Sequence, residues 1–164
     1  MLNIWVNSIS KNLPSQIEDS KEWRKLMLLA SKDEEKSNTN RLNIVFNHLW
    51  TVMLPPIQSI ADKNNLGLKW SQMIENKNYD SAMETLKAAI SAQDAAIPES
   101  DDHLKLTAVA HVALYVATAC SLDKNASAAN VTGEITAITQ KYLIKDYWDI
   151  INPLKLFEDI LKNA

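Results

Sequence analysis

Glycine is nearly missing from this chain: Gly67 and Gly133 are the only two in 164 residues. Tight hairpins draw on glycine for positive φ, so a multi-stranded antiparallel fold is a poor fit. Glycine-rich phosphate cradles and the G-x-S-x-G nucleophile elbow are absent outright. Cysteine is single, Cys120, which rules out an internal disulfide and makes a reducing, cytoplasmic setting the expectation. Basic charge is in short supply. Lys and Arg number 17 against 20 acids, and the longest basic cluster is Lys21, Arg24 and Lys25. A nucleic-acid binder needs a basic surface, so none is expected. The longest uncharged apolar run, 106–122, falls short of a ~20-residue membrane span and carries Thr107, His111, Thr118 and Ser121. The opening "MLNIWVNSISKNLP" has no basic region ahead of an apolar run, so no secretory signal is expected. The sequons at Asn125 and Asn130 then read as incidental, with Ser127 and Thr132 as local turn or capping residues.

What fills the chain instead is Ala, Leu, Lys, Glu and Met, the good helix formers. The expected fold is all-α: residues 1–164 as a single compact bundle of five to seven helices, with a central Ala-rich helix near 104–121.

Residues 1–13 hold Leu2, Ile4, Trp5, Val6 and Ile9 and should pack as a short helix or extended segment. A helix is expected over 15–31, with Trp23, Leu26, Met27 and Ala30 inward. The acids Asp33, Glu34 and Glu35 then sit in a solvated connector. Over 40–54, Leu42, Val45, Phe46, Leu49, Val52 and Met53 recur at amphipathic spacing, until Pro55 and Pro56 break the helix. "DKNNLG" reads as a stop, with Asn or Gly67 in the left-handed position. Residues 68–76 and 79–97 form a helical hairpin, the second helix capped by Asp80 or Ser81. Ser100 should cap the helix that follows, with Asp101 and Asp102 in its first turn. Ala128, Val131, Ile135, Ile138 and Tyr142 form a seam over 127–147. Asn152 and Pro153 open the last helix.

Within the hairpin, "NYDSAMETLKAAI" resembles the second helix of a tetratricopeptide repeat, with Tyr79, Ala82, Leu86, Ala89 and Ile90 at the family's small and large positions. Trp70 falls where that family has a small residue, Asp94 takes the place of its proline, and no second copy follows. The resemblance supports the hairpin, not membership.

The chemistry-bearing residues concentrate in "HLKLTAVAHVALYVATACSL", 103–122. On a helical wheel its apolar arc exceeds half the girth, while His103, Thr107, His111, Tyr115 and Thr118 share the other side. Metal ligands on one helix converge when three or four residues apart. His103 and His111 are eight apart, so no metal or cofactor is expected. The pocket candidates are His48, Thr107, His111 and Tyr115, with a polar network inside the core favoured over an open pocket. Cys120 falls on the apolar arc and reads as structural. Trp5, Tyr147 and Trp148 either fasten the chain ends or serve as partner-binding candidates, since aromatics dominate binding hot spots.

With a well-made core and no catalytic constellation, the expected function is a non-catalytic cytoplasmic protein-interaction domain: a regulator, inhibitor or immunity-type partner. A protein partner is expected, but neither nucleic acid nor membrane. The alternative is a bundle binding a small molecule or metal, including an enzyme, around His48, His111 and Tyr115.

Overall fold

A computed structural model describes residues 2–32, 38–121 and 124–162, apart from the side chains of 38 and 124–128; no strand occurs among them. Asp33, Glu34 and Glu35 lie outside the described residues, as do the side chains of Asn125, Ser127 and the expected seam residue Ala128. The helical segments are α1 (Leu2–Ser10), α2 (Ser15–Glu18), α3 (Lys21–Ala30), α4 (Asn38–His48), α5 (Gln58–Lys63), α6 (Gly67–Asn76), α7 (Tyr79–Ala95), α8 (Asp101–Ala119), α9 (Lys124–Tyr142), α10 (Tyr147–Ile151) and α11 (Pro153–Lys162). They outnumber the expected five to seven because short pieces such as α2, α5 and α10 follow breaks that periodicity alone passes over.

Side-chain oxygens start α3, α7, α8 and α11. Ser20 accepts from Trp23 N–H (3.1 Å), Asn78 from Ser81 N–H (2.9 Å), Ser100 from His103 N–H (3.2 Å) and Asn152 from Lys155 N–H (3.2 Å). Ser20 is why the helix expected over 15–31 is split, and Asn78 replaces Asp80 or Ser81 as the cap of α7. Left-handed residues close α5, α6 and α10 at Asn65, Lys77 and Asn152, and Glu99 takes the same conformation just before Ser100. Asn65 therefore takes the position left open between Asn and Gly67, and both glycines keep negative φ.

Helix α8 packs against α7 on one side and α9 on the other; α1 and α4 also lie on α9, and α11 lies on α3 and α4. Where α1 meets α9 the backbones touch. Ser8 Oγ donates to the Asn130 carbonyl and accepts from Gly133 N–H (3.1 Å). A Cβ on Gly133 would sit 2.5 Å from the Ser8 carbonyl carbon and nearer still to the Ser8 oxygens. Ala129, Thr132 and Thr136 continue this buried small-residue face. Thr132 is no turn or cap: it lies inside α9, and its hydroxyl donates back to the Ala129 carbonyl (3.1 Å). Of the expected seam on α9, Val131 and Ile135 are buried and Ile138 partly so, but Tyr142 at the helix end is 39% exposed.

The double proline shapes the middle of the chain. After His48 the helix widens to one π turn, Leu49–Met53, with Leu54 N–H reaching the Leu49 carbonyl (3.1 Å). Pro55 and Pro56 supply no N–H, and Ile57 N–H donates to the Leu54 carbonyl (3.1 Å), leaving that of Met53 without a helical donor. A buried carbonyl must find a partner, and two aromatic side chains provide donors. The Tyr147 hydroxyl donates to Met53 O (2.5 Å) and Trp70 Nε1–H to Leu54 O (3.1 Å). Both rings are fully buried.

A second aromatic group joins the chain ends. Phe157 of α11 packs its ring 5.3 Å from Trp5 of α1 and 4.9 Å from Trp23 of α3, centroid to centroid. Trp5, Tyr147 and Trp148, expected as partner-binding candidates, are all buried. Their aromatic surface goes largely into the core.

Candidate functional site

Helix α3 is held to the body mainly by Trp23, its only buried residue. The rest of its apolar side is incompletely covered: Leu28 is 58% and Leu29 49% exposed, and Met27, expected inward, is 38% exposed. Across from it, α11 buries Leu156, Phe157 and Ile160 and leaves Leu154 and Leu161 partly open. Between the two helices runs a groove of about 750 Å³. Its floor is Leu26 and Leu29 from α3 with Leu154 and Leu161 from α11. Its rim is Lys25 and Lys32 on one side and Lys155 and Lys162 on the other, with Glu22 and Glu158 among them.

The rim charges are solvated. Lys155 pairs with Asp159 (2.6 Å) and Lys162 with Glu158 (2.6 Å), each one helical turn apart. The paired lysine holds the Glu158 carboxyl below its ordinary range, and Asp159 raises the Lys155 ammonium. Four lysines against Glu22, Glu158 and the Asp159 that pairs with Lys155 leave a local excess of one positive charge, on a chain whose net charge is −3.

The expected pocket residues are not brought around one cavity. His48 ends α4, where the Ile151 carbonyl and Asp159 lie near its ring; its Nε2 is buried without a partner among the described residues. Burial lowers its pKa against the opposing pull of Ile151 and Asp159. Thr107, His111 and Tyr115 follow one side of α8. His111, expected in a core network, is exposed, with Nδ1 2.9 Å from the Thr107 carbonyl. The reason is packing: α7 and α9 cover two sectors of α8 and leave the strip of Leu104, His111, Leu114 and Thr118 to solvent. Tyr115 is partly buried, its phenol pKa raised by that burial and by Glu134. None of the four lines the α3–α11 groove, a small polar cavity beside Lys69 and Glu84 or an open alanine-lined one between Asn64 and Leu106.

Cys120, expected on the buried arc, is partly exposed at the end of α8, with its thiol 3.8 Å from the Lys77 carbonyl. Arg41 of α4 is buried and already engaged. Among the described residues no three of His, Cys, Asp and Glu gather in a way that could hold a metal ion, and no helix is long and apolar enough to cross a membrane.

Sequence reading missed the groove. The available signal was the seven-residue interval of Leu154 and Leu161, Lys155 and Lys162, and Lys25 and Lys32. No family model, curated protein or solved structure matches this chain.

Proposed function

We propose that this chain is a non-catalytic protein-interaction domain of the regulator, inhibitor or immunity type, and that its binding face is the groove between α3 and α11. One observation carries the reading: four leucines from two helices form a continuous floor that the fold leaves partly uncovered. Exposed apolar ground rimmed by charge is the usual composition of a contact site. The reading takes residues 1–164 as one domain, supported by a contiguous core from Leu2 to Ile160, with Ala-rich α8 at its centre. A cytoplasmic setting fits the single thiol of Cys120. The alternative, a small-molecule or metal pocket around His48, His111 and Tyr115, has less behind it, because none of those residues lines the groove or the two smaller cavities described above.

A photo-crosslinking residue at position 28, on the lip of α3, tests the proposal in native extract. Partners should crosslink to the parent chain and be lost when Leu29→Asp is added, with the helical spectrum and melting temperature unchanged. The same partners captured by both proteins would overturn the choice of face.

A further inference from the structure

The charges around the groove say which kind of partner fits it. Leu154 and Leu161 are seven residues apart, as are Lys155 and Lys162 on the same helix and Lys25 and Lys32 on the opposite wall. Seven residues are two helical turns, about 10.5 Å along the axis. Lys32 stands just past α3, in a turn that continues its helical course through the bond from Ser31 N–H to the Met27 carbonyl (3.0 Å). The same interval on both walls matches the spacing of the apolar seam and flanking charges along a coiled-coil helix. Walls of ten residues each match roughly 15 Å of such a helix, about one and a half heptads.

We infer that the groove receives an amphipathic helix of a partner protein whose apolar stripe is flanked on both sides by Asp or Glu at seven-residue intervals. The inference rests on the proposed reading of this face as a protein-binding site and adds the sign and periodicity of the partner. Lys25 and Lys32 have no acid partner among the described residues, so they are available cations. Lys155 and Lys162 hold only exposed pairs within their own helix, which exchange readily. The leucine floor supplies the affinity. The lysines set register and reject a basic partner, as rim charges generally do.

The experiment uses the full chain and three synthetic 21-residue helices with Leu at both seam positions. The flanking positions carry Glu, Gln or Lys, and like charges there keep the charged peptides from pairing with themselves. Fluorescence anisotropy should rank Glu over Gln over Lys, with the Glu peptide weakened by salt. Joint Lys25→Glu and Lys155→Glu, both at exposed positions, should weaken the Glu peptide about tenfold and favour the Lys peptide. Leu29→Asp should abolish binding of all three. Equal binding of the three peptides, still lost on Leu29→Asp, would overturn the acidic partner while leaving the protein-binding reading in place. Binding of phosphatidylglycerol vesicles and of no peptide would overturn both.

Discussion

Replacing Tyr147 with Phe removes one oxygen from the centre of the molecule and leaves the ring in place. The hydroxyl is fully buried and donates to Met53 O at 2.5 Å. That carbonyl has no helical donor, because Ile57 N–H goes to Leu54 O instead. Leaving a buried acceptor unpaired costs about 1–3 kcal/mol. In a domain of this size each kcal/mol lowers the melting temperature by about 2–4 °C. The assay is thermal and urea unfolding followed by circular dichroism, with Tyr142→Phe, at an exposed position, as the control that should stay within about 0.5 kcal/mol. Burial also raises the Tyr147 phenol pKa far above its ordinary value. Folding therefore favours the neutral form, and its contribution is present below about pH 10 and lost as the pH rises beyond. A Tyr147→Phe protein melting with its parent would refute the claim that this phenol satisfies the carbonyl freed by the proline break.

Gly133→Ala should destabilise by about 1–3 kcal/mol or more, although Gly to Ala inside a helix ordinarily gains about 1, because the new methyl meets Ser8 backbone. Gly67→Ala meets the movable carboxylate of Asp62 and, at 3.2 Å, its Cα, and should cost less than Gly133→Ala; chemical denaturation of the pair checks the contrast. Val112→Asp puts an unpaired charge at a fully buried site of α8 and should cost several kcal/mol; a melt within a degree or two of the parent would contradict it. Folding favours neutral His48, so its contribution should be present above pH 6.5 and lost as the pH falls below that value; His48→Gln should flatten stability against pH in that window, and an unchanged slope would contradict it.

Features that depend on local chemistry were legible in the sequence. Ser100 and Asn152 cap where the sequence places them, and Pro55–Pro56 break the helix that Leu42 to Met53 lays out. Features that depend on a distant partner were not. The donor for Met53 O comes from residue 147, and the need for glycine at 133 arises from Ser8 on another helix. A helical wheel assigned His111 to the polar side of α8, but only the placement of α7 and α9 decides that this side faces water. The groove was missed for a related reason. Leu26 read as an ordinary core leucine, and nothing in its spacing from Trp23 says that α3 is anchored by that tryptophan and left open beyond it.

The most direct test of the α3–α11 groove as the binding face is an amide NMR titration of the isotope-labelled chain with the Glu-flanked helix. Shift changes should concentrate in 22–32 and 154–162, with α7 and α8 undisturbed. Changes centred on the Leu104–His111–Leu114 strip of α8, or no changes at all, would contradict it.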